Sequence, residues 1–221
     1  MAVFAKSEPW DDVAKRWKDE DGSNFSKLVL EQTFPGKRET QPARLKLWRE
    51  LDGNGNGYVS LAEFDGWFNR HTLGIEKVRG QKSSIYAYAR PALIRAFNLA
   101  NGVSPAKPGQ KLDGDAYITR SEFRLLLVAT QAALCIFRIF DIADTSNDRR
   151  VSQAEWDCQL ATINAELRSF GYSGPEMLQA DFAKIDVDGK GMVLLDEAIF
   201  FFLGALTSEP ALLSENAEEG C

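Results

Sequence analysis

The chain has 221 residues, 44% apolar and 26% charged, with 14 Phe, 5 Trp and 5 Tyr; that is core material for one large or two small domains and excludes disorder throughout. A formal net charge of -6 excludes a nucleic-acid binder built on a basic stripe and suits cations or basic protein partners. One histidine, His71, and three scattered cysteines, Cys135, Cys158 and Cys221, exclude a Cys/His zinc cluster and a disulfide framework, so an intracellular, cytoplasmic chain is expected.

Residues 1–39 read as an N-terminal extension. The opening Met1-Ala2-Val3-Phe4 lacks the long apolar run of a secretory signal. An amphipathic stretch around Trp10, Val13 and Trp17 follows, then a break at Phe34-Pro35-Gly36. From Thr40 the pattern is helical, with Pro42 where a first turn tolerates it. A Pro/Gly/Ser loop occupies Gly102 to Gln110. The apolar run from Leu125 to Ile139 is broken by Thr130, Gln131 and Arg138, so no transmembrane segment is expected. Ser173-Gly174-Pro175 reads as a helix start, Phe200-Phe201-Phe202 as core, and residues 208–221 as a solvated acidic tail.

Between these lies a fourfold repeat. Each copy has an aromatic residue before a polar loop, a β-branched residue (Val59, Ile118, Val151, Val193) and an acid four residues later (Glu63, Glu122, Glu155, Glu197). The first copy, Asp52-Gly-Asn54-Gly-Asn56-Gly57-Tyr58-Val59-Ser60-Leu-Ala-Glu63, matches the twelve-residue EF-hand calcium loop throughout. Calcium is a hard cation that takes six to eight oxygens. Asp52, Asn54 and Asn56 supply side-chain oxygens, Tyr58 its carbonyl, Ser60 a water-bridged position and Glu63 two closing oxygens. Gly57 permits the left-handed turn around the ion. Magnesium is the expected competitor.

The third copy begins at Asp144, because a start at the nearby Asp141 would put Ser152 in the closing position. Its ligands are then Asp144, Ser146, Asp148, the Arg150 carbonyl, Ser152 and Glu155, with Arg149 standing where glycine is expected. A non-glycine residue there costs about 1–2 kcal/mol. The fourth copy offers Asp186, Asp188, the Met192 carbonyl and Glu197, a weaker site because Lys190 replaces an oxygen donor with a cation and Leu194 has no donor. The second must close on Glu122, which places Lys111 first, Asp113 third, Asp115 fifth and Ala116 sixth. It reads as a metal-free partner for the first.

The expected fold is all-α: four helix-loop-helix motifs in two pairs, residues 40–130 and 131–207, each with a short two-stranded β link. Val59 should pair with Ile118, and Val151 with Val193.

Four hands, an extension of about forty residues and an insertion before the second loop resemble the flagellar calcium-binding proteins, the calflagins. The resemblance runs from Arg44 to Leu206 and rests on the insertion before Asp113-Gly-Asp115, the run Phe123-Arg-Leu-Leu-Leu into Phe140-Asp-Ile-Ala-Asp144, and a third loop without its glycine. It implies a calcium-binding protein with a possible flagellar location, and calcium in the later pair of hands, whereas the most regular loop here is the first. Calflagins begin Met-Gly with a nearby Cys and are acylated there. This chain has Ala2 and no Cys before Cys135, so it lacks the N-myristoylation motif.

A calcium sensor or adaptor with a protein target is the expected function; a calcium buffer, or a structural component of a flagellar or cytoskeletal assembly, is the alternative. Three methionines are too few for a flexible Met-lined groove. No enzymatic role is expected. The light-emitting EF-hand oxygenases lean on several histidines, and this chain has only His71.

Overall fold

The computed structural model describes residues 41–76, 84–101, 117–169, 172 and 174–207. The N-terminal extension, the insertion with Lys111, Asp113, Asp115 and Ala116, Ser173 and the acidic tail lie outside the described residues. The described chain is mostly helical. Helix α1 (Gln41–Leu51) turns Leu47, Trp48 and Leu51 inward, a spacing of one, three and four that makes one face of a helix. Strand β1 (Tyr58–Ser60) leads into α2 (Leu61–Glu76), which buries Phe64, Trp67 and Phe68 at the same spacing.

Helix α3 (Ser84–Asn101) buries Ala89, Ala92, Ala96 and Ala100 beside Tyr88, Leu93 and Phe97. The small residues recur at intervals of three and four, so its backbone can approach a neighbour closely. That neighbour is α4 (Phe123–Ala143), which follows β2 (Tyr117–Thr119). Beyond it come β3 (Val151–Ser152), α5 (Gln153–Ser169), a 3-10 turn (Gln179–Asp181), the single-turn α6 (Phe182–Ile185), β4 (Met192–Val193) and α7 (Leu195–Thr207).

The strands pair in the predicted register. Val59 lies opposite Ile118 in one antiparallel ribbon, and Val151 opposite Val193 in the other. All four side chains are buried. Two strands of two or three residues are not stable alone, so the ribbons depend on these β-branched side chains reaching the core between the helices.

Helix α4 is the centre of the fold, packed against α3, α5 and α7. By length and composition it could cross a membrane, contrary to the expectation that its polar residues interrupt the apolar run. Most of its residues are instead buried inside the protein. Two of the interruptions find partners there: the Thr130 hydroxyl donates to the Leu126 carbonyl at 2.7 Å, and Arg138 forms an ion pair, its Nε 3.5 Å from Glu166 Oε1 on α5. A hydroxyl bonded one turn back keeps its hydrogen bond without water. One continuous core extends from Leu47 to Phe202. The triple-phenylalanine run is split by helical geometry: Phe202 is in the core, Phe201 packs against it, and Phe200 is 78% exposed.

Candidate metal centre

Three loops share one backbone design. Each follows an incoming helix whose last turn continues one residue further. The N–H of Asp52 donates to the Trp48 carbonyl at 2.8 Å, that of Asp144 to Phe140 at 2.9 Å, and that of Asp186 to Phe182 at 2.9 Å. These acceptors are the aromatic residues of the repeat. Each loop then folds back on its first carboxylate. Gly57 donates to Asp52 Oδ2 at 3.1 Å, Arg149 to Asp144 Oδ2 at 2.8 Å and Gly191 to Asp186 Oδ2 at 2.8 Å.

The fourth and sixth loop positions are left-handed throughout. Gly55 and Gly57 have φ of 68° and 82°, Gly189 and Gly191 have 66° and 78°. In the third loop Asn147 and Arg149 take φ of 58° and 66°, so the chain accepts strain at Arg149 in order to keep the loop shape. Asp141, the rejected start of this loop, is buried and accepts a hydrogen bond from the Tyr88 hydroxyl at 2.8 Å. Burial first, and then Asp141, holds the Tyr88 hydroxyl well above its ordinary range.

The closing glutamates have two jobs. Glu63 Oε2 accepts the Ser60 N–H at 2.9 Å and its hydroxyl at 2.7 Å, while the Glu63 N–H donates to Ser60 Oγ at 3.2 Å. This is a reciprocal cap at the start of α2. Ser152 and Glu155 repeat it at α5. Thr119 donates its N–H and hydroxyl to Glu122 Oε2 at 2.8 and 2.7 Å, so the second copy keeps its closing carboxylate. In the fourth, only the Leu194 N–H is available, donating to Glu197 Oε2 at 2.8 Å.

With Oε2 engaged, Oε1 faces the loop. Glu63 Oε1 accepts Asn54 Nδ2 at 2.9 Å, which joins the third and twelfth positions. Asn54 and Asn56 accept backbone N–H groups from Asn56 and Tyr58, both at 2.9 Å. Asp52 Oδ1 is buried with no hydrogen-bond partner. Leaving a buried carboxylate oxygen unpaired is costly, and a hard cation is the partner this oxygen-only set suits. Tyr58 and Met192 begin β1 and β4, and Arg150 directly precedes β3, so the seventh residue of each loop stands at or next to the start of its strand.

In the third loop Asp144 Oδ1 accepts the Asp148 N–H at 3.2 Å and the Ser146 hydroxyl at 3.3 Å. Glu155 Oε1 accepts the Ser146 N–H at 2.9 Å and the Thr145 hydroxyl at 3.0 Å. Burial would raise the Glu155 carboxyl, but the hydrogen bonds from Ser152, Ser146 and Thr145 outweigh it and hold it at about 2, against an ordinary 4.5. A depressed carboxyl contributes stability that is complete above its unfolded value and is lost as pH falls through the folded one. In chelator, the Glu155 contribution should therefore be intact above about pH 4.5 and disappear toward about pH 2. Melting curves between those values should show a shallower acid dependence in Glu155→Gln; identical slopes would contradict the assignment.

In the fourth loop Asp186, Asp188 and Glu197 bring carboxylate oxygens within 4.8 Å of one another. No other such trio of acidic, His or Cys side chains occurs among the described residues. Lys190 Nζ lies 2.6 Å from Asp188 Oδ2, and that hydrogen bond lowers the Asp188 carboxyl and raises the Lys190 ammonium. The sequence pattern singled out the first loop for its regularity. A count of acids separates this loop from the first, which has Asp52 and Glu63, but not from the third, which has Asp144, Asp148 and Glu155.

Residues 30–130 match the FCaBP EF-hand domain. No curated protein matches the sequence. Similar solved structures include two of the photoprotein berovin from the ctenophore Beroe abyssicola. Magnesium-loaded apo-berovin is 19% identical, over 80% of this chain and 98% of that one, with a TM-score of 0.30. The calcium-loaded apoprotein is 17% identical, over 86% and 97%, with a TM-score of 0.26. The twelve-residue pattern, the repeated loop geometry and the matched domain agree: the loops carry the oxygen-ligand pattern of calcium-binding EF-hands, and residues 30–130 resemble the FCaBP EF-hand domain.

Proposed function

We propose that the chain is a calcium sensor or adaptor with four EF-hands in two pairs, residues 40–130 and 131–207, flanked by the extension 1–39 and the tail 208–221. Calcium would be held by Asp52, Asn54, Asn56, Tyr58, Ser60 and Glu63, by Asp144, Ser146, Asp148, Arg150, Ser152 and Glu155, and more weakly by Asp186, Asp188, Met192 and Glu197. Magnesium competes for the same oxygens. The second hand acts as a partner without metal, the role is non-enzymatic, and the target is a protein rather than nucleic acid. An intracellular, flagellar location remains part of the proposal through the family resemblance alone.

The observation that carries the sensor reading is the double duty of Glu63 and Glu155. Each closes a loop and caps the helix that leaves it, so a shift of the carboxylate shifts the start of α2 or α5. These helices bury Trp67 and Trp156, and the incoming α1 places Trp48 edge-on against Phe123 at 5.0 Å. Calcium titration should change tryptophan emission and increase binding of an apolar-surface dye. Calcium binding without either change would favour a buffer or a structural component.

A further inference from the structure

Helix α3 is fastened to the second half of the chain at two points. Inside the core, the Tyr88 hydroxyl donates to Asp141 at 2.8 Å, three residues before the third loop begins. At the surface, Arg95 forms a two-pronged ion pair with Asp196: Nε to Oδ1 at 2.5 Å and Nη2 to Oδ2 at 2.9 Å. The guanidinium is braced on its own helix, where Nη1 donates to the Pro91 carbonyl at 3.2 Å. Asp196 is in the first turn of α7 and directly precedes Glu197, the carboxylate that closes the fourth loop.

We infer that Arg95 is a positioning residue for the fourth loop: by holding Asp196 it fixes the first turn of α7, and with it the Glu197 carboxylate, from a helix of the other half of the chain. The fourth loop needs such help more than the others. Leu194 has no hydroxyl to match Ser60 or Ser152, so Glu197 Oε2 receives the Leu194 N–H and lacks the second, side-chain donor that Glu63 and Glu155 have. Its Oε1 contact with the Asp188 N–H is long, at 3.4 Å. A bidentate guanidinium–carboxylate pair fixes direction as well as distance. The pair therefore supplies from outside the constraint that the missing hydroxyl supplies within the other loops. Through it, the second hand would influence calcium affinity while binding no ion itself.

This inference rests on the reading of the fourth loop as a calcium site, and its test separates the two. Fourth-loop binding is isolated in the full chain carrying Glu63→Gln and Glu155→Gln, with Lys190→Asn to supply the missing oxygen, and followed by calorimetric calcium titration. Arg95→Gln and Asp196→Asn both break the clamp but change local charge in opposite directions. Simple electrostatics would make the first tighten calcium binding and the second weaken it. Positioning makes both weaken it, by about threefold to fivefold, the scale of a well-oriented exposed ion pair. Arg95→Lys, which keeps charge but not the fork, should recover only part of the loss. First-loop affinity, measured with Glu63 intact, should not move. Opposite shifts, no shift, or an equal weakening of the first loop would overturn the positioning role. Absence of any calcium binding in the isolated fourth loop would overturn the site assignment, and the inference with it.

Discussion

Glu63→Gln should remove one calcium site and leave the fold standing. The substitution keeps the length of the side chain and one acceptor oxygen, so the cap on Ser60 survives in part. Loss of a cap altogether costs about 1 kcal/mol, an upper bound here. What disappears is the charge, and with it half of the closing pair of oxygens. Asp52 would then be the loop's one remaining anionic side chain. Changing a group that merely supports a metal ligand costs about 10–100-fold in affinity; removing a chelating oxygen should exceed that. Calorimetry should show stoichiometry lower by one, and melting in chelator should move by only a few degrees. Unchanged stoichiometry would show that the first loop does not bind calcium.

Lys190→Asn should do the reverse and strengthen a site. In the fourth loop the ammonium already sits 2.6 Å from Asp188, in a cluster of three carboxylates within 4.8 Å. As a tethered counter-ion it would relieve repulsion among the acids and compete with an incoming cation. Asparagine offers an oxygen at the same position and no charge. Calcium affinity of the fourth loop should rise, and stability in chelator should fall because the three acids lose their internal cation. Lys190 and Asp188 are on the surface, so the loss should shrink as salt is added. Equal stability in chelator would mean that the side chain merely points into water, whatever happens to affinity.

The loops were legible in the sequence because their chemistry is local. Asp52 to Glu63 spells out a ligand at each required position, and the buried position-eight residues then set the ribbon register, Val59 on Ile118 and Val151 on Val193. The choice between Asp141 and Asp144 was also local: only the second start puts a glutamate at the twelfth loop position. The structure gives the discarded aspartate a separate role beneath Tyr88. Even the strained Arg149 followed from the pattern, since the loop shape requires a left-handed residue there whatever its side chain.

What the sequence concealed is long-range. Thr130 and Arg138 read as interruptions of an apolar run. Their partners lie one turn back and on α5, and the second of these is invisible without the fold. The bond from Arg95 to Asp196 joins residues 101 positions apart, and no periodicity announces it. The convergence of Asp186, Asp188 and Glu197 depends on side-chain direction, which spacing alone does not fix. The loops thus follow from short-range rules, whereas their coupling to each other depends on how α3, α4 and α7 pack.

Calorimetric titration of the full chain with calcium, repeated in the presence of magnesium, tests the central claim most directly. The account predicts saturable binding at two sites with a weaker third, shifted to higher calcium concentration by magnesium and reduced by one site in Glu63→Gln. Absence of saturable calcium binding, or a stoichiometry that Glu63→Gln leaves unchanged, would contradict it.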